Sequence, residues 1–264
     1  MTSKASGLFQ SAVAEGALSR AALAAIDVRD IGADINAALG ASVDDVKVTG
    51  EMSLLNVLLD DSSSIRFVQG NTEEIRKGTN LCLDSLTESQ AAKHGVMAMI
   101  TTLNRGLHAA YMPVADVPRL DASNYNPNGH TPLYDKSILL LGTALAKCQE
   151  FMDGGVPCRT INVIVTDGRD EGSSKTARDV RAIVEDMLKT ENHIVAFIGI
   201  SDGNLDFRSV AREMGIRDEW ILTPGNSPSE IRRAFGTLSK STVRVSQARG
   251  SSFSQTAAGG FGSP

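Results

Sequence analysis

Residues 54–65 read Leu-Leu-Asn-Val-Leu-Leu-Asp-Asp-Ser-Ser-Ser-Ile, and this stretch decides the fold. Its first six residues are nearly all apolar, which is typical of a strand buried on both faces of a parallel sheet. Asp60, Ser62 and Ser64 alternate directly after this run. Because loops at the carboxyl ends of parallel strands line the crevice where ligands bind, the three side chains are expected to converge on one point.

Further apolar runs follow and alternate with amphipathic segments. They predict strands at 96–102, 107–114, 161–166, 193–200 and 220–222. The link at 104–106, Asn-Arg-Gly, is short enough for a hairpin, so the strand at 107–114 is expected to be an antiparallel edge strand. The pattern predicts an α/β fold: a doubly wound, Rossmann-like three-layer sandwich with a mostly parallel six-stranded sheet.

The two ends of the chain differ from this central part. Apolar residues between Leu8 and Leu39 recur at helical spacing and predict two short helices, with Gly50 at the junction to the first strand. Residues 1–50 are therefore assigned to a helical N-terminal extension and residues 51–247 to the α/β domain. Residues 248–264 are rich in Gly and Ser, and this composition predicts a flexible tail.

The charge and composition of the chain indicate which partners and which cellular compartment it suits. The formal net charge of −5 argues against a general nucleic-acid binder. No apolar stretch is long enough to span a membrane, and Glu15 and Arg20 interrupt the alanine-rich start before it could serve as a signal peptide. The three cysteines lack close spacing, which suits a reducing compartment. The sequence therefore predicts a cytoplasmic protein without nucleic-acid or membrane partners.

Two more segments add oxygen atoms to the first cluster. At 163–170 the chain reads Val-Ile-Val-Thr-Asp-Gly-Arg-Asp, a second apolar strand that ends at Asp167. A parallel neighbour would place Asp167 beside Asp60. At 129–135 it reads Gly-His-Thr-Pro-Leu-Tyr-Asp, a turn into a helix with the Thr131 hydroxyl at its start. Such side chains supply the oxygen ligands that hard cations such as Mg²⁺ prefer.

Together these segments resemble the von Willebrand factor type A (VWA) family, whose metal-ion-dependent adhesion site (MIDAS) is written D-x-S-x-S, then T, then D. The resemblance covers roughly residues 52–245, and the motif is complete in Asp60, Ser62, Ser64, Thr131 and Asp167. It implies that the two serines and the threonine contact the metal directly, whereas the two aspartates act mostly through water.

The resemblance also implies the ion and the partner. The ion is expected to be Mg²⁺, with Mn²⁺ or Ca²⁺ as alternatives, and an Asp or Glu of a partner protein would complete its shell. Cytoplasmic bacterial proteins of similar architecture often work beside AAA+ ATPases, kinases or stress-response assemblies. These are the partner classes that the resemblance implies.

Each motif alone has a plainer interpretation. Asp60 and Ser62 fit a turn and a helix cap, and Thr131 fits a helix N-cap. Asp167, followed by glycine, fits an ordinary turn. The joint occurrence of the three segments favours the metal site.

The other polar residues near these motifs receive no metal role. Asp61, Asp170 and Glu171 are expected to be solvated loop charges that make the rim of the site acidic. His130 adjoins Thr131, but a single histidine beside an oxygen-rich site is more often incidental than a ligand.

Two patterns point to enzymes, and both are incomplete. Residues 199–203 match the nucleophile elbow G-x-S-x-G, but all four histidines precede Ser201, whereas the histidine of an α/β-hydrolase follows the serine. Asp60 is similar to the nucleophile of haloacid dehalogenase-like phosphotransferases, but Ser62 stands where these enzymes carry a second aspartate. The chain is therefore predicted not to be an enzyme.

The sequence favours a divalent-metal-dependent protein-interaction module. One alternative is a structural or assembly subunit in which the metal site is vestigial and the N-terminal helices and the tail make the contacts. A less favoured alternative is a phosphotransferase-like hydrolase that uses Asp60.

Overall fold

Six strands form one sheet in the order β3-β2-β1-β4-β5-β6. The structure is a computed structural model that describes residues 3–46, 50–89, 95–248 and 257–262. The strands are β1 (Met52–Leu59), β2 (Gly95–Thr102), β3 (Leu107–Pro113), β4 (Cys158–Thr166), β5 (His193–Gly199) and β6 (Ile221–Leu222). All neighbours pair in parallel except β3, which pairs antiparallel with β2 at one edge. The predicted sheet is confirmed.

Helices cover both faces of this sheet. They are α1 (Lys4–Ala14), α2 (Arg20–Ile26), α3 (Val28–Ala38), α4 (Asn71–Ser89), α5 (Leu133–Asp153), α6 (Ala177–Lys189), α7 (Phe207–Glu213) and α8 (Pro228–Gln247). On one face α4 packs against α8, and on the other α5 and α6 pack against each other and the sheet. The α1–α3 segment contacts α5 and α6 from outside and adds a further layer to the predicted sandwich.

Strands β1 and β4 carry the candidate site at their carboxyl ends. Every residue of both strands is buried, as their apolar sequences require. Parallel pairing sets Leu59 of β1 opposite Val165 of β4 and, on its other side, opposite Thr102 of β2. The strand order reverses at β1, because β2 lies on one side of it and β4 on the other. Such a reversal opens a crevice at the carboxyl ends of the strands.

The described part of the N-terminal extension, residues 3–46, contains three α-helices, and the prediction of two was wrong. The Ser19 hydroxyl accepts the Ala22 N–H and begins α2. Asp27 adopts the left-handed conformation with φ of 45°, which separates α2 from α3. Phe9 and Ile26 are buried, so the extension packs its apolar side chains into the core.

Residues 257–262 lie on the body of the domain. Phe261 is buried against Trp220, with the ring centroids 5.4 Å apart in edge-to-face geometry. The Phe261 N–H donates to the Glu219 carbonyl at 2.8 Å. This part of the predicted flexible tail is docked, because Phe261 finds an apolar partner that composition does not reveal. Residues 249–256 lie outside the described residues, and the three domain boundaries remain predictions.

Candidate metal centre

Asp60 follows the last residue of β1 and is held by three hydrogen bonds. One carboxylate oxygen accepts the Ser62 N–H at 2.7 Å, and the other accepts the Thr166 hydroxyl at 2.7 Å and the Asp167 N–H at 3.3 Å. The side chain is 1% exposed. The bond to Ser62 is the turn contact of the plainer interpretation, but the other two bonds join β1 to β4. Asp60 therefore fixes two loops of the site relative to each other.

Three oxygen atoms converge beside Asp60: the hydroxyl oxygens of Ser62 and Ser64 and Oδ1 of Asp167. The two hydroxyl oxygens are 2.9 Å apart, and they donate to Asp167 Oδ1 at 3.5 Å from Ser62 and 2.7 Å from Ser64. Octahedral Mg²⁺, with metal–oxygen distances of about 2.1 Å, has neighbouring ligand oxygens about 3 Å apart. The 2.9 Å between the two serine hydroxyl oxygens therefore fits neighbouring positions of such an octahedron, and Asp167 Oδ1 lies within hydrogen-bond distance of both.

The two carboxylates of the site lack a cationic side chain. Burial raises the pKa of Asp60, and burial together with the Asp60 charge raises the pKa of Asp167 to about 7. Within the described ranges neither aspartate forms an ion pair with Lys or Arg. Buried carboxylates are costly unless a cation or hydrogen bonds compensate their charge. The electrostatics of the site therefore favour a bound cation.

Thr131 lies in the loop before α5 and is 5% exposed. Its carbonyl accepts the Glu171 N–H at 2.7 Å, which ties this loop to the loop after β4. A Cβ atom on Gly168 would lie 3.1 Å from the Thr131 hydroxyl oxygen, so this hydroxyl is close to the residue after Asp167. The N-cap of α5 is Pro132, so Thr131 is not the predicted alternative cap. The described hydrogen bonds do not link its hydroxyl to the other predicted ligands.

Asp61 was expected to be a solvated charge, and this expectation was wrong. The side chain is fully buried. One carboxylate oxygen accepts the backbone N–H of Asn104 at 2.8 Å and its side-chain amide at 3.0 Å, and the other accepts the Arg105 N–H at 3.1 Å. Asp61 thus positions the β2–β3 hairpin loop beside the site. The sequence predicted a role at the site for its neighbour Asp60 only, and no local pattern indicated that both adjacent carboxylates point inward.

The two other predicted rim charges behave differently from each other. Asp170 is partly buried, and its carboxylate accepts an α5 backbone N–H at 3.1 Å and the Ser173 hydroxyl at 2.5 Å. Glu171 is exposed.

A second residue that the sequence did not reveal is Tyr125, which is buried and donates its hydroxyl to the Asp60 carbonyl at 2.5 Å. No sequence pattern predicted this contact, because Tyr125 is far from Asp60 in the chain.

The predicted donor set consists of two carboxylates and three hydroxyls. In the part of the chain that the structure describes, no group of three or more His, Cys, Asp or Glu side chains could hold a metal ion. An ion at this site would therefore depend on hydroxyl oxygens and water, a donor set that suits hard cations such as Mg²⁺. The residues present fit such an ion.

The residues of the two enzyme patterns make hydrogen bonds to neighbouring groups. Ser201 lies in the loop after β5, where its hydroxyl accepts the Gly203 N–H at 3.1 Å. His193 is buried at the opposite end of β5, and its Nδ1 lies 2.8 Å from the Thr160 hydroxyl. Asp60 uses both carboxylate oxygens in hydrogen bonds to neighbouring loops. His193 and Ser201 thus lie at opposite ends of β5.

The sequence matches no protein-family model and no curated protein, and its likeness is to solved structures. The vWF domain of the type V pili tip protein Mfa5 from Porphyromonas gingivalis is 11% identical with a TM-score of 0.51, covering 77% of this chain and 98% of that chain. The PilB minor pilin from Streptococcus sanguinis is 12% identical with a TM-score of 0.50, covering 75% of this chain and 62% of that chain.

A third similar structure is proximal thread matrix protein 1 from the mussel byssus, at 17% identity and a TM-score of 0.46 over 72% of this chain and 47% of that chain. The chain spans less than two thirds of both this protein and PilB. The likeness to the Mfa5 domain shows that the fold is that of a VWA domain.

Membrane contact and location were also predicted from the sequence. Across the described ranges, no helix has the length and apolar character needed to cross a bilayer. Two of the similar structures come from pilus proteins, so the comparisons do not support the predicted cytoplasmic location. That location remains a prediction.

Proposed function

We propose that this chain is a divalent-metal-dependent protein-interaction module with a complete MIDAS. The observation that carries the proposal is the convergence of the Ser62 and Ser64 hydroxyls on Asp167 Oδ1, at separations of 2.7–3.5 Å, directly beside the buried Asp60 carboxylate. The ion is proposed to be Mg²⁺, with Mn²⁺ or Ca²⁺ as alternatives.

Each residue has a distinct role in this proposal. Ser62, Ser64 and Thr131 would hold the ion directly, while Asp60 and Asp167 would orient the serines and bind water of the ion. A bound divalent ion supplies positive charge that attracts a carboxylate. Because the direct protein ligands are neutral hydroxyls, much of that charge stays available to an Asp or Glu of a partner protein.

The similar structures support an interaction or adhesion role. One is a domain of a pilus tip protein and another is a minor pilin, and the chain shares their fold. The AAA+ ATPases, kinases and stress-response assemblies implied by the family resemblance stay a proposal about partners, with no support from these comparisons.

The two alternatives have less support. A structural subunit with a vestigial metal site would use the N-terminal helices for contacts, but α1–α3 already bury apolar side chains such as Phe9 and Ile26 in the core. A phosphotransferase-like hydrolase would need Asp60 as a nucleophile, but both of its carboxylate oxygens accept hydrogen bonds in a buried position.

Titration calorimetry with MgCl₂, MnCl₂ and CaCl₂ tests the metal site. Ser64→Ala removes one proposed ligand and should weaken binding of the preferred ion about tenfold or more. Ser229→Ala is the matched control, because Ser229 is an exposed serine at the start of α8 and should leave binding unchanged. If none of the three ions binds to the wild-type chain, the proposal is wrong.

Partner capture tests the interaction role. An Asp or Glu of a partner should bind in Mg²⁺ and be released by EDTA, and Asp60→Ala should abolish this capture without loss of the far-UV circular dichroism signal. Capture that is equal in EDTA and in Mg²⁺ would contradict metal dependence. It would favour the structural alternative.

A further inference from the structure

Phe67 stands beside the metal site and is 82% exposed. It directly follows the 3-10 turn Ser63–Arg66, and its N–H donates to the Ser64 carbonyl at 2.8 Å. Within the same turn Ile65 is 1% exposed and anchors the segment in the core. The turn therefore holds Ile65 inward and Phe67 outward, within three residues of a proposed metal ligand.

The exposure of Phe67 is unusual for this chain. The other exposed large apolar side chains among the described residues are Leu81 at 45%, Leu107 at 42% and Met152 at 38%. Aromatic side chains that are exposed at a rigid position supply large contact area at low entropic cost, and they are enriched at the centres of protein interfaces. Phe67 thus has the properties of an anchor for a partner.

The charged side chains around the site point to the chemistry of that partner. Arg66, Arg105 and Arg169 are exposed: Arg66 and Arg169 each lie two residues from a proposed metal ligand, and Arg105 lies on the hairpin loop that Asp61 holds beside the site. None of the three forms an ion pair among the described residues. Glu171 is the exposed acidic side chain on the loop after β4, while Asp61 points inward. On the loops at residues 62–70, 103–106 and 168–171, the exposed charged side chains are thus three arginines and Glu171, and these loops are called the basic rim.

This basic rim contrasts with the chain as a whole, whose formal net charge is −5. The hairpin loop that carries Arg105 is fixed beside the site by the Asp61 carboxylate. A positive surface patch attracts acidic segments of a partner protein. Charge complementarity thus favours a partner segment that carries further acidic residues besides the one carboxylate that the metal would bind.

We propose that the site takes an acidic protein segment in which a metal-binding Asp or Glu lies within about three residues of a large apolar side chain that packs on Phe67. This inference rests on the proposed function, because the carboxylate is placed by the metal. It adds that Phe67 and the three arginines, Arg66, Arg105 and Arg169, determine which acidic segments bind.

Selection from a phage-displayed library of random dodecapeptides tests the inference. The immobilised full chain is panned in MgCl₂, and bound phage are eluted with EDTA and sequenced. Peptides selected on the wild type should be enriched in Asp and Glu with an aromatic or large aliphatic residue within about three positions. One selected peptide is then synthesised and its affinity is measured for each variant.

Selection on Phe67→Ser should lose the enrichment of apolar residues and keep the enrichment of acidic ones. The affinity of the synthetic peptide for this variant should fall about tenfold or more. Leu81→Ser is the matched control, since Leu81 is a partly exposed apolar residue in the middle of α4 and should change neither result. The triple variant Arg66→Ser, Arg105→Ser, Arg169→Ser should reduce the acidic enrichment and the salt dependence of binding.

Calorimetry with MgCl₂ separates this inference from the proposed function. If Mg²⁺ binds normally but no peptide is released by EDTA, or if the apolar preference survives Phe67→Ser, the inference is overturned and the metal site stands. If no divalent ion binds, the proposed function fails with it. A wild-type dimer that Phe67→Ser converts to a monomer would assign Phe67 to self-association and overturn the inference.

Discussion

Asp167→Asn tests whether the site is built around an uncompensated carboxylate. The variant keeps an oxygen that can accept the Ser64 hydroxyl but removes the charge. The pKa of Asp167 is about 7 in place of the ordinary 3.8, so between these values the folded state holds a proton that the unfolded state has lost. The free energy of unfolding of the metal-free wild type therefore falls as pH rises through this window. At about pH 8 the ionised side chain costs at most about 4 kcal/mol.

Urea unfolding in EDTA at about pH 5 and about pH 8 measures this cost. We expect Asp167→Asn to exceed the wild type in unfolding free energy at both pH values, with a gap of at most about 4 kcal/mol at pH 8 and about 2 kcal/mol at pH 5. Excess Mg²⁺ should stabilise the wild type and leave the variant unchanged. A variant that is less stable than the wild type in EDTA at pH 8, or a gap that is independent of pH, would refute the reasoning.

Three further changes test other parts of the structure. Asp61→Ala leaves partly buried donors of Asn104 and Arg105 without their acceptor and should lower the free energy of unfolding by roughly 2 kcal/mol in urea, whereas loss of a solvated charge would change it by under about 0.5 kcal/mol. Burial lowers the pKa of His193 to about 4 from 6.5, so the free energy of unfolding should fall by roughly 3 kcal/mol as pH falls from about 6.5 to about 4. Urea unfolding of His193→Gln should lack this decrease. Phe261→Ala should expose the chain's single tryptophan and shift its fluorescence emission to longer wavelength, and an unchanged spectrum would contradict the docked segment.

The fold was predictable because its strands are short, apolar and separated by clear turn signals. The run at 54–59 and the run at 161–166 lie side by side in the sheet, and the hairpin at 104–106 correctly gave the antiparallel edge. The N-terminal helices were miscounted because α2 has only seven residues, four of them alanine, and so adds few large apolar side chains to the helical spacing. The docking of Phe261 depends on a contact with Trp220 that no local pattern encodes.

The candidate site was predictable only where its residues follow strands. Asp60 and Asp167 end neighbouring parallel strands, so register alone brings them together. Asp61 and Tyr125 could not be predicted, because their roles depend on hydrogen bonds between loops that are distant in sequence. Asp61, Asp170 and Glu171 were predicted to make the rim acidic, but Asp61 is buried and Asp170 is half-buried, so Glu171 is the exposed one of the three.

The hydrogen bonds between the loops decide how the site can work. Asp60 joins the loops after β1 and β4, Asp61 holds the hairpin loop, and the Thr131 carbonyl holds the loop after β4. The serine hydroxyls are thus positioned by protein contacts, so an arriving ion would not have to order the loops, which lowers the entropic cost of binding. The same contacts keep Asp167 half-buried beside Asp60, where its ionisation is unfavourable. The buried carboxylate of Asp60 and the half-buried carboxylate of Asp167 form no ion pair with Lys or Arg among the described residues, so their repulsion lowers stability, and a cation between them would relieve it directly.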